Sequence, residues 1–202
     1  MKKRNTEFHP SVLLESFAKG GFGCSWRFDG MEKVITASTC DQVAGALQMV
    51  EQAVADGFHA AGFVSYEAAS GLSAQLSTRE LTDFPLVWFG IFRQRVPVVP
   101  AAAEQNRPCR ISAPEIETEQ NAYASAVKKI REAIANGDTY QVNYTTAQQF
   151  KAEGDLFSLY RRICHSQQAP FCAWIDTGRH QILSASPELF FSLKGGRITM
   201  NR

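Results

Sequence analysis

The chain has 202 residues, of which 45% are hydrophobic and 20% are charged, and it includes 14 Phe and 3 Trp. This composition is typical of a packed globular protein and excludes an intrinsically disordered one. The 21 Lys and Arg residues nearly balance the 20 Asp and Glu residues, which leaves a formal charge of +1. Because such a balance creates no field that would attract a polyanion, we expect no nucleic acid partner.

The cysteines and the amino-terminal segment indicate a reducing compartment. The five cysteines are an odd number, form no C-x-x-C pair and have no histidine nearby at zinc-ligand spacing. The basic start MKKR runs into polar residues instead of the apolar core of a signal peptide. No window approaches the roughly 20 apolar residues of a membrane span. We therefore expect a cytoplasmic protein with no membrane partner.

The first half of the chain predicts mainly strands. Residues 23–36 carry Asp29-Gly30 between two β-favouring runs, a pattern typical of a tight hairpin turn. Residues 59–69 and 85–93 are short apolar runs rich in aromatic and β-branched side chains. Such runs are too short for amphipathic helices, so we expect both to be strands inside a sheet.

Apolar side chains at helical spacing predict three helices. The first runs from the cap residue Thr39 to about residue 56, and the second covers residues 118–136. The third begins after the cap residue Asp155, and we expect Tyr160 to lie on its inward, apolar face and Arg161 on its outward face.

Residues 96–117 contain four prolines and no periodicity, which is typical of an extended linker. We place a domain boundary there, between a first region of residues 1–95 and a second of residues 118–202. Helices are mixed with hairpins, and no regular βαβ alternation is present. The pattern predicts an α+β fold of mostly antiparallel sheets with flanking helices.

Two segments of the second region could carry chemistry. In residues 139–145, TYQVNYT, apolar side chains alternate with Gln141 and Asn143, which predicts a strand with one polar face. Those amides could bind a ligand, although most such groups pair with backbone or water. Pro187 would present Glu188 at a defined angle beside an apolar run, where desolvation would favour a general acid. Composition alone favours the alternative that Glu188 is a surface residue.

The segments IANGDTYQVNYT and SASPELFF resemble the chorismate-binding domain shared by aminodeoxychorismate synthase component I, anthranilate synthase component I, isochorismate synthase and salicylate synthase. GFVSYEAA and PLVWFGIF resemble the amino-terminal part of the first of these in particular. The resemblance runs from Val12 to Arg202 but covers only the first half or less of the family's usual span. It implies the anthranilate synthase component I-like fold, incomplete at the carboxyl end.

The resemblance implies a reaction in which ammonia from a glutamine amidotransferase, component II, replaces the 4-hydroxyl of chorismate. The product, 4-amino-4-deoxychorismate, leads to p-aminobenzoate and folate. The family's Mg²⁺ ligands and its nucleophilic lysine lie beyond residue 202, so the resemblance implies no metal site in this chain and no activity for it in isolation. Glu188 matches the family's proposed general acid, and Gln141 and Asn143 match a segment that supports the active-site sheet.

The resemblance also implies a pocket for an aromatic amino acid such as tryptophan. Leu14, Glu15 and Ser16 match its first segment. The second segment matches the stretch that contains Pro170, Phe171 and Cys172. Gln168-Ala169 stands where this stretch usually begins Asn-Pro.

Two alternatives stay open. One is anthranilate synthase component I or a salicylate or isochorismate synthase, which the residue at the position of the lysine would distinguish. The other is a non-catalytic module that binds an amino acid or a partner protein.

Overall fold

A computed structural model describes residues 11–18, 24–79, 83–100, 108–116 and 118–200. The helices are α1 (Cys40–Ala55), α2 (Ala69–Leu72), α3 (Gln120–Asn136) and α4 (Leu156–Gln167), with a 3-10 turn at Tyr66–Ala68. The strands are β1 (Val12–Glu15), β2 (Ser25–Ala37), β3 (His59–Val64), β4 (Val87–Val98), β5 (Cys109–Ile111), β6 (Glu115–Ile116), β7 (Gln148–Gln149), β8 (Ala152–Gly154), β9 (Phe171–Asp176), β10 (Gln181–Ser186), β11 (Ser192–Lys194) and β12 (Arg197–Thr199).

Six strands form the principal sheet, in the order β10-β9-β1-β2-β4-β3. Every neighbouring pair in it is antiparallel, and three two-stranded antiparallel ribbons accompany it. The predicted α+β class with mostly antiparallel sheets is therefore confirmed. Residues 59–69 were expected to form a strand inside a sheet. Instead β3 ends at Val64 and is the edge strand, and short helices follow it.

The predicted hairpin at Asp29-Gly30 is wrong. Residues 25–37 form one continuous strand that pairs with β4 along its length. The register shifts between Met31 and Lys33, so Glu32 is an extra residue, and Gly30, two positions before it, has a φ of 66°. The positive φ that a hairpin turn would need from this glycine is instead used next to a β-bulge.

Helix α1 confirms the first helix prediction and covers a core on the sheet. Its first turn is tied to the preceding chain, because the Ser38 N–H donates to the Gln42 side chain at 3.0 Å. Its buried residues pack with Ile35 of β2 and with Val87 and Ile91 of β4. Trp88 and Phe92, which directly follow Val87 and Ile91, belong to a second buried cluster. Because successive side chains of a strand point to opposite faces, β4 is covered on both sides.

Contacts between residues divide the chain into two compact units, residues 1–105 with 157–202, and residues 106–156. The first unit holds the principal sheet, in which β1 pairs with β9. The second holds α3 and the ribbons β5-β8 and β6-β7. The expected boundary at 96–117 stays a prediction about the domains, and residues 101–107 and 117 of it lie outside the described residues.

Helix α3 confirms the second helix prediction and ends at Gly137, whose φ is 80°. The strand predicted over residues 139–145 is wrong, because this segment is irregular and the next strand, the short β7, begins at Gln148. Among the described residues no strand is paired with it, and alternation of side chains cannot build a strand without a hydrogen-bonded neighbour.

Candidate functional site

The two segments expected to form the amino acid pocket lie side by side. Strand β1 pairs with β9 so that Leu14 faces Ala173 and Glu15 faces Cys172. Past the end of β1, the Phe17 N–H donates to the Ala169 carbonyl at 3.1 Å. The antiparallel register therefore joins residues 14–16 to residues 170–172, although more than 150 positions separate them in the chain.

The carboxylate of Glu15 is fully buried, with 0% of the residue exposed. The hydroxyl of Tyr160 donates to its Oε2 at 3.0 Å, and Nη1 of Arg161 donates to its Oε1. Only 13% of the Arg161 side chain is exposed. The prediction that Arg161 faces outward is wrong, because a buried carboxylate needs a charged partner and α4 supplies it.

Aromatic rings enclose this ion pair. The ring of Phe157 meets that of Trp174 edge-on at 5.1 Å, and the rings of Tyr160 and Trp174 lie 5.9 Å apart. The Arg161 guanidinium lies over the Phe157 ring, 5.1 Å from its centroid. These rings keep water away from Glu15, which strengthens the attraction between its carboxylate and the guanidinium.

The phenol of Tyr160 and the thiols of Cys164 and Cys172, near Glu15, keep their protons because their pKa values are raised. Burial, followed by the charge of Glu15, raises the pKa of the Tyr160 phenol far above its ordinary value. Burial also raises the pKa of the Cys164 and Cys172 thiols, which lie against each other. Tyr160 therefore remains a hydrogen-bond donor, and the two thiols are poor nucleophiles because only a thiolate reacts readily. The cluster therefore holds no activated nucleophile.

Glu188 lies two residues past the end of β10, whose last residue Ser186 pairs with Phe171 of the predicted pocket. The Ser186 hydroxyl donates to the Glu188 carbonyl at 2.9 Å, and this turn fixes the backbone of Glu188. The residue is exposed, and so is the neighbouring Phe190, at 88%. The apolar enclosure expected around Glu188 is thus absent among the described residues, and its role as general acid stays a prediction.

Gln141 and Asn143 lie in the second compact unit. The Gln141 side-chain amide donates to Oδ1 of Asn143 at 3.3 Å, and both residues are exposed. Their expected place on a strand face is wrong, whereas their role in supporting an active site stays a prediction.

Tyr160 and Arg161 are the site residues that sequence reasoning missed. The predicted helix face did include Tyr160 as an inward residue, but only as an apolar one. The signal available was Glu15 itself, since an acidic residue in the run VLLE of a buried strand requires a cationic partner. Nothing local to Arg161 identified it as that partner.

The part of the chain that the structure describes contains neither a cluster of metal ligands nor a helix that could span a membrane. Within the described ranges, no three His, Cys, Asp or Glu side chains are arranged to hold a metal ion. The Mg²⁺ that the resemblance implies therefore has no fitting ligand set there. No helix in the same ranges is long and apolar enough to cross a membrane.

Comparison with known proteins places these features in a family. A family model described as chorismate binding enzyme matches residues 9–201. Anthranilate synthase component 1 of Aeropyrum pernix is 28% identical over 100 residues, which are 50% of this chain and 23% of that protein.

Two aminodeoxychorismate synthase component 1 proteins are also similar. That of Bacillus subtilis is 33% identical over 76 residues, 38% of this chain and 16% of the relative, and that of Klebsiella aerogenes is 37% identical over 78 residues, 38% and 17% respectively. The aligned segments thus span less than a quarter of these relatives. Because the family model covers nearly all of this sequence, the chain belongs to the chorismate binding enzyme family.

Proposed function

We propose that this chain is part of an aminodeoxychorismate synthase component I, which converts chorismate and ammonia to 4-amino-4-deoxychorismate for p-aminobenzoate and folate synthesis. The observation that carries the proposal is the family match over residues 9–201, together with the aminodeoxychorismate synthase relatives at 33% and 37% identity. Ammonia would come from a glutamine amidotransferase partner. The thiols of Cys24, Cys40, Cys164 and Cys172 are not joined in disulfides, which supports a cytoplasmic location.

Within this proposal, Glu188 protonates the departing 4-hydroxyl, which leaves as water while ammonia takes its place on the ring. The turn at Ser186 supports this role, because it holds the Glu188 backbone at the end of a sheet strand. Mg²⁺ would bind the substrate carboxylate through ligands outside the described residues. Without those ligands and the nucleophilic lysine, the 202-residue chain by itself is inactive.

Anthranilate synthase component I is the second candidate, and the relative from Aeropyrum pernix favours it. The two enzymes act on the same substrate but release different products. In the first proposal, the amino group is added at the carbon that loses the 4-hydroxyl. In the second, the product is anthranilate.

Product analysis tests the two enzyme proposals. Chorismate, Mg²⁺ and ammonia are incubated with the longest polypeptide that the gene encodes, and the products are separated by liquid chromatography with mass detection. We expect 4-amino-4-deoxychorismate from that polypeptide and no product from residues 1–202. Anthranilate as the product would refute the first proposal in favour of the second, and turnover by residues 1–202 would refute the inactivity of the isolated chain.

Glu188→Gln tests the general acid in the same polypeptide. Loss of a general acid costs typically about 10²–10⁴-fold in rate, so we expect kcat to fall in this range with little change in KM. Glu153→Gln, on the exposed strand β8, is the matched control and should keep its activity. Full activity of the Glu188 variant would remove this residue from the mechanism.

We further propose that residues 14–16 and 170–172 hold tryptophan. Their adjacency through β1 and β9 and the aromatic rings around Glu15 favour such a ligand. A non-catalytic module would bind tryptophan without converting chorismate. Calorimetry with tryptophan, run beside the product assay, distinguishes the module from an enzyme that uses the same pocket.

A further inference from the structure

A second group of charged side chains lies in the first compact unit, apart from Glu15. Asp83 accepts a hydrogen bond from the Arg179 guanidinium, and its Oδ2 lies 3.9 Å from Nε2 of His180. These residues line a cavity of about 250 Å³ with Ser38 and Phe84. The cavity therefore contains an acid, a permanent cation and an imidazole at one place.

Aromatic side chains form the apolar wall of this cavity. Phe84 is stacked on Phe63 at 5.0 Å, and the edge of His180 meets Phe84 at 5.2 Å. Trp88, which also lines the cavity, is only 5% exposed and stacks with Phe63 at 6.3 Å. Because these rings hold one another in place, the wall is formed before any ligand arrives, which reduces the entropic cost of binding.

The ion pair between Asp83 and Arg179 is exposed enough for a ligand to separate its two side chains. The side chains of Asp83 and Arg179 are 67% and 71% exposed. Exposed ion pairs contribute little to stability because water and salt screen them. A ligand that offers a better partner to each charge can therefore separate the pair at small cost.

The charges select the kind of ligand. A simple carboxylate bound to Arg179 would lie beside the Asp83 carboxylate and be repelled by it. A simple amine bound to Asp83 would displace the Arg179 guanidinium and leave it beside a second cation. A zwitterion gives each side chain an opposite charge and replaces one ion pair by two.

We propose that the Asp83–Arg179 cavity binds a free α-amino acid with an apolar or aromatic side chain. Its carboxylate pairs with Arg179, its ammonium group pairs with Asp83, and its side chain lies against Phe84 and Trp88. The cavity of about 250 Å³ is smaller than the cavities of about 300–1,000 Å³ that hold drug-sized ligands, which suits a molecule as small as an amino acid. This site is separate from the pocket at Glu15 and does not depend on the proposed catalytic function.

Calorimetric titration of the whole chain with three related probes tests the charge requirement. L-phenylalanine carries both charges, N-acetyl-L-phenylalanine lacks the ammonium group, and phenethylamine lacks the carboxylate. We expect saturable binding of L-phenylalanine and binding at least about tenfold weaker for each of the other two, because each loses a charge-assisted hydrogen bond. Equal binding of either analogue, or no saturable binding of L-phenylalanine at millimolar concentration, would overturn the proposal.

Variants then locate the site. Asp83→Asn and Arg179→Gln should each weaken L-phenylalanine binding by about tenfold. The matched controls are Asp29→Asn and Arg27→Gln, which alter another exposed ion pair of the same unit, at 2.8 Å, and should leave the affinity unchanged. Circular dichroism checks that all four variants are folded. Unchanged affinity in the Asp83 and Arg179 variants would show that the ligand binds elsewhere, for example beside Glu15, and would refute this assignment.

Discussion

Replacing Arg161 by Ala should destabilise the chain strongly, because it leaves the carboxylate of Glu15 buried without its charged partner. Glu15 has 0% exposure, and the hydroxyl of Tyr160, which donates to it at 3.0 Å, is neutral. A charge in this position can be neither hydrated nor paired after the substitution. The contact also joins α4 to β1, which lie 146 positions apart in the sequence.

The expected magnitude follows from these contacts. Removing one partner of a buried ion pair costs about 3–5 kcal/mol of the free energy of unfolding. The hydrogen bond from Tyr160 survives and favours the lower end, whereas the lost contact of the guanidinium with the Phe157 ring adds about 0.5–1 kcal/mol. For a chain of 202 residues, a loss of about 3–4 kcal/mol lowers Tm by about 10 °C.

Urea unfolding followed by circular dichroism measures the free energy of unfolding of the wild type, Arg161→Ala, Glu15→Gln and the double variant. The double variant should be more stable than Arg161→Ala alone, because the Glu15→Gln change removes the buried charge and leaves an amide oxygen that can accept the bond from Tyr160. Arg27→Ala, which removes an exposed ion pair of β2, serves as the control and should change stability little. A loss below about 1 kcal/mol for Arg161→Ala, or simple additivity in the double variant, would refute the reasoning.

Two further predictions concern pH and close packing. The free energy of unfolding should fall as pH rises above about 9. Burial raises the pKa of Cys164 and Tyr160 in the folded chain, so only the unfolded chain releases their protons. Each group lowers the free energy of unfolding by about 1.4 kcal/mol per pH unit above its unfolded pKa. Urea unfolding between pH 8 and 11 checks this, and Tyr160→Phe should flatten the profile above pH 10. Gly62→Ala should cost about 1–3 kcal/mol or more, because its Cβ would overlap the Trp88 carbonyl oxygen, whereas Gly45→Ala in α1 meets nothing within 4 Å and should stabilise by about 0.5–1 kcal/mol. Thermal unfolding compares the two glycine variants, and a destabilised Gly45→Ala with an unaffected Gly62→Ala would contradict the packing argument.

Local patterns in the sequence were sufficient for the three long helices, α1, α3 and α4, and for the family. The spacing of apolar residues and the glycine after Asn136 predicted α3, which ends at a left-handed Gly137. Such signals depend on residues within a few positions of one another, so they act whatever the rest of the chain does. The signature segments likewise identified the chorismate-binding family, which the match over residues 9–201 supports.

The tertiary structure decided which local patterns were used. Asp29-Gly30 could turn a hairpin, but the long partner β4 makes it part of a bulged strand. Residues 139–145 alternate like a strand, but no described strand pairs with them. In both cases the outcome depends on hydrogen bonds to a distant segment, which composition and spacing do not specify.

The candidate site shows the same division. From the sequence, the family resemblance placed Glu15 in a pocket segment, and Pro187 indicated that Glu188 is presented at a defined angle. Only the tertiary structure decided that Arg161 and Tyr160 are the partners of Glu15 and that Glu188 lies exposed. The physical reason is that burial and charge pairing depend on residues brought together across some 145 positions of chain, whereas helix spacing and turns depend on neighbours.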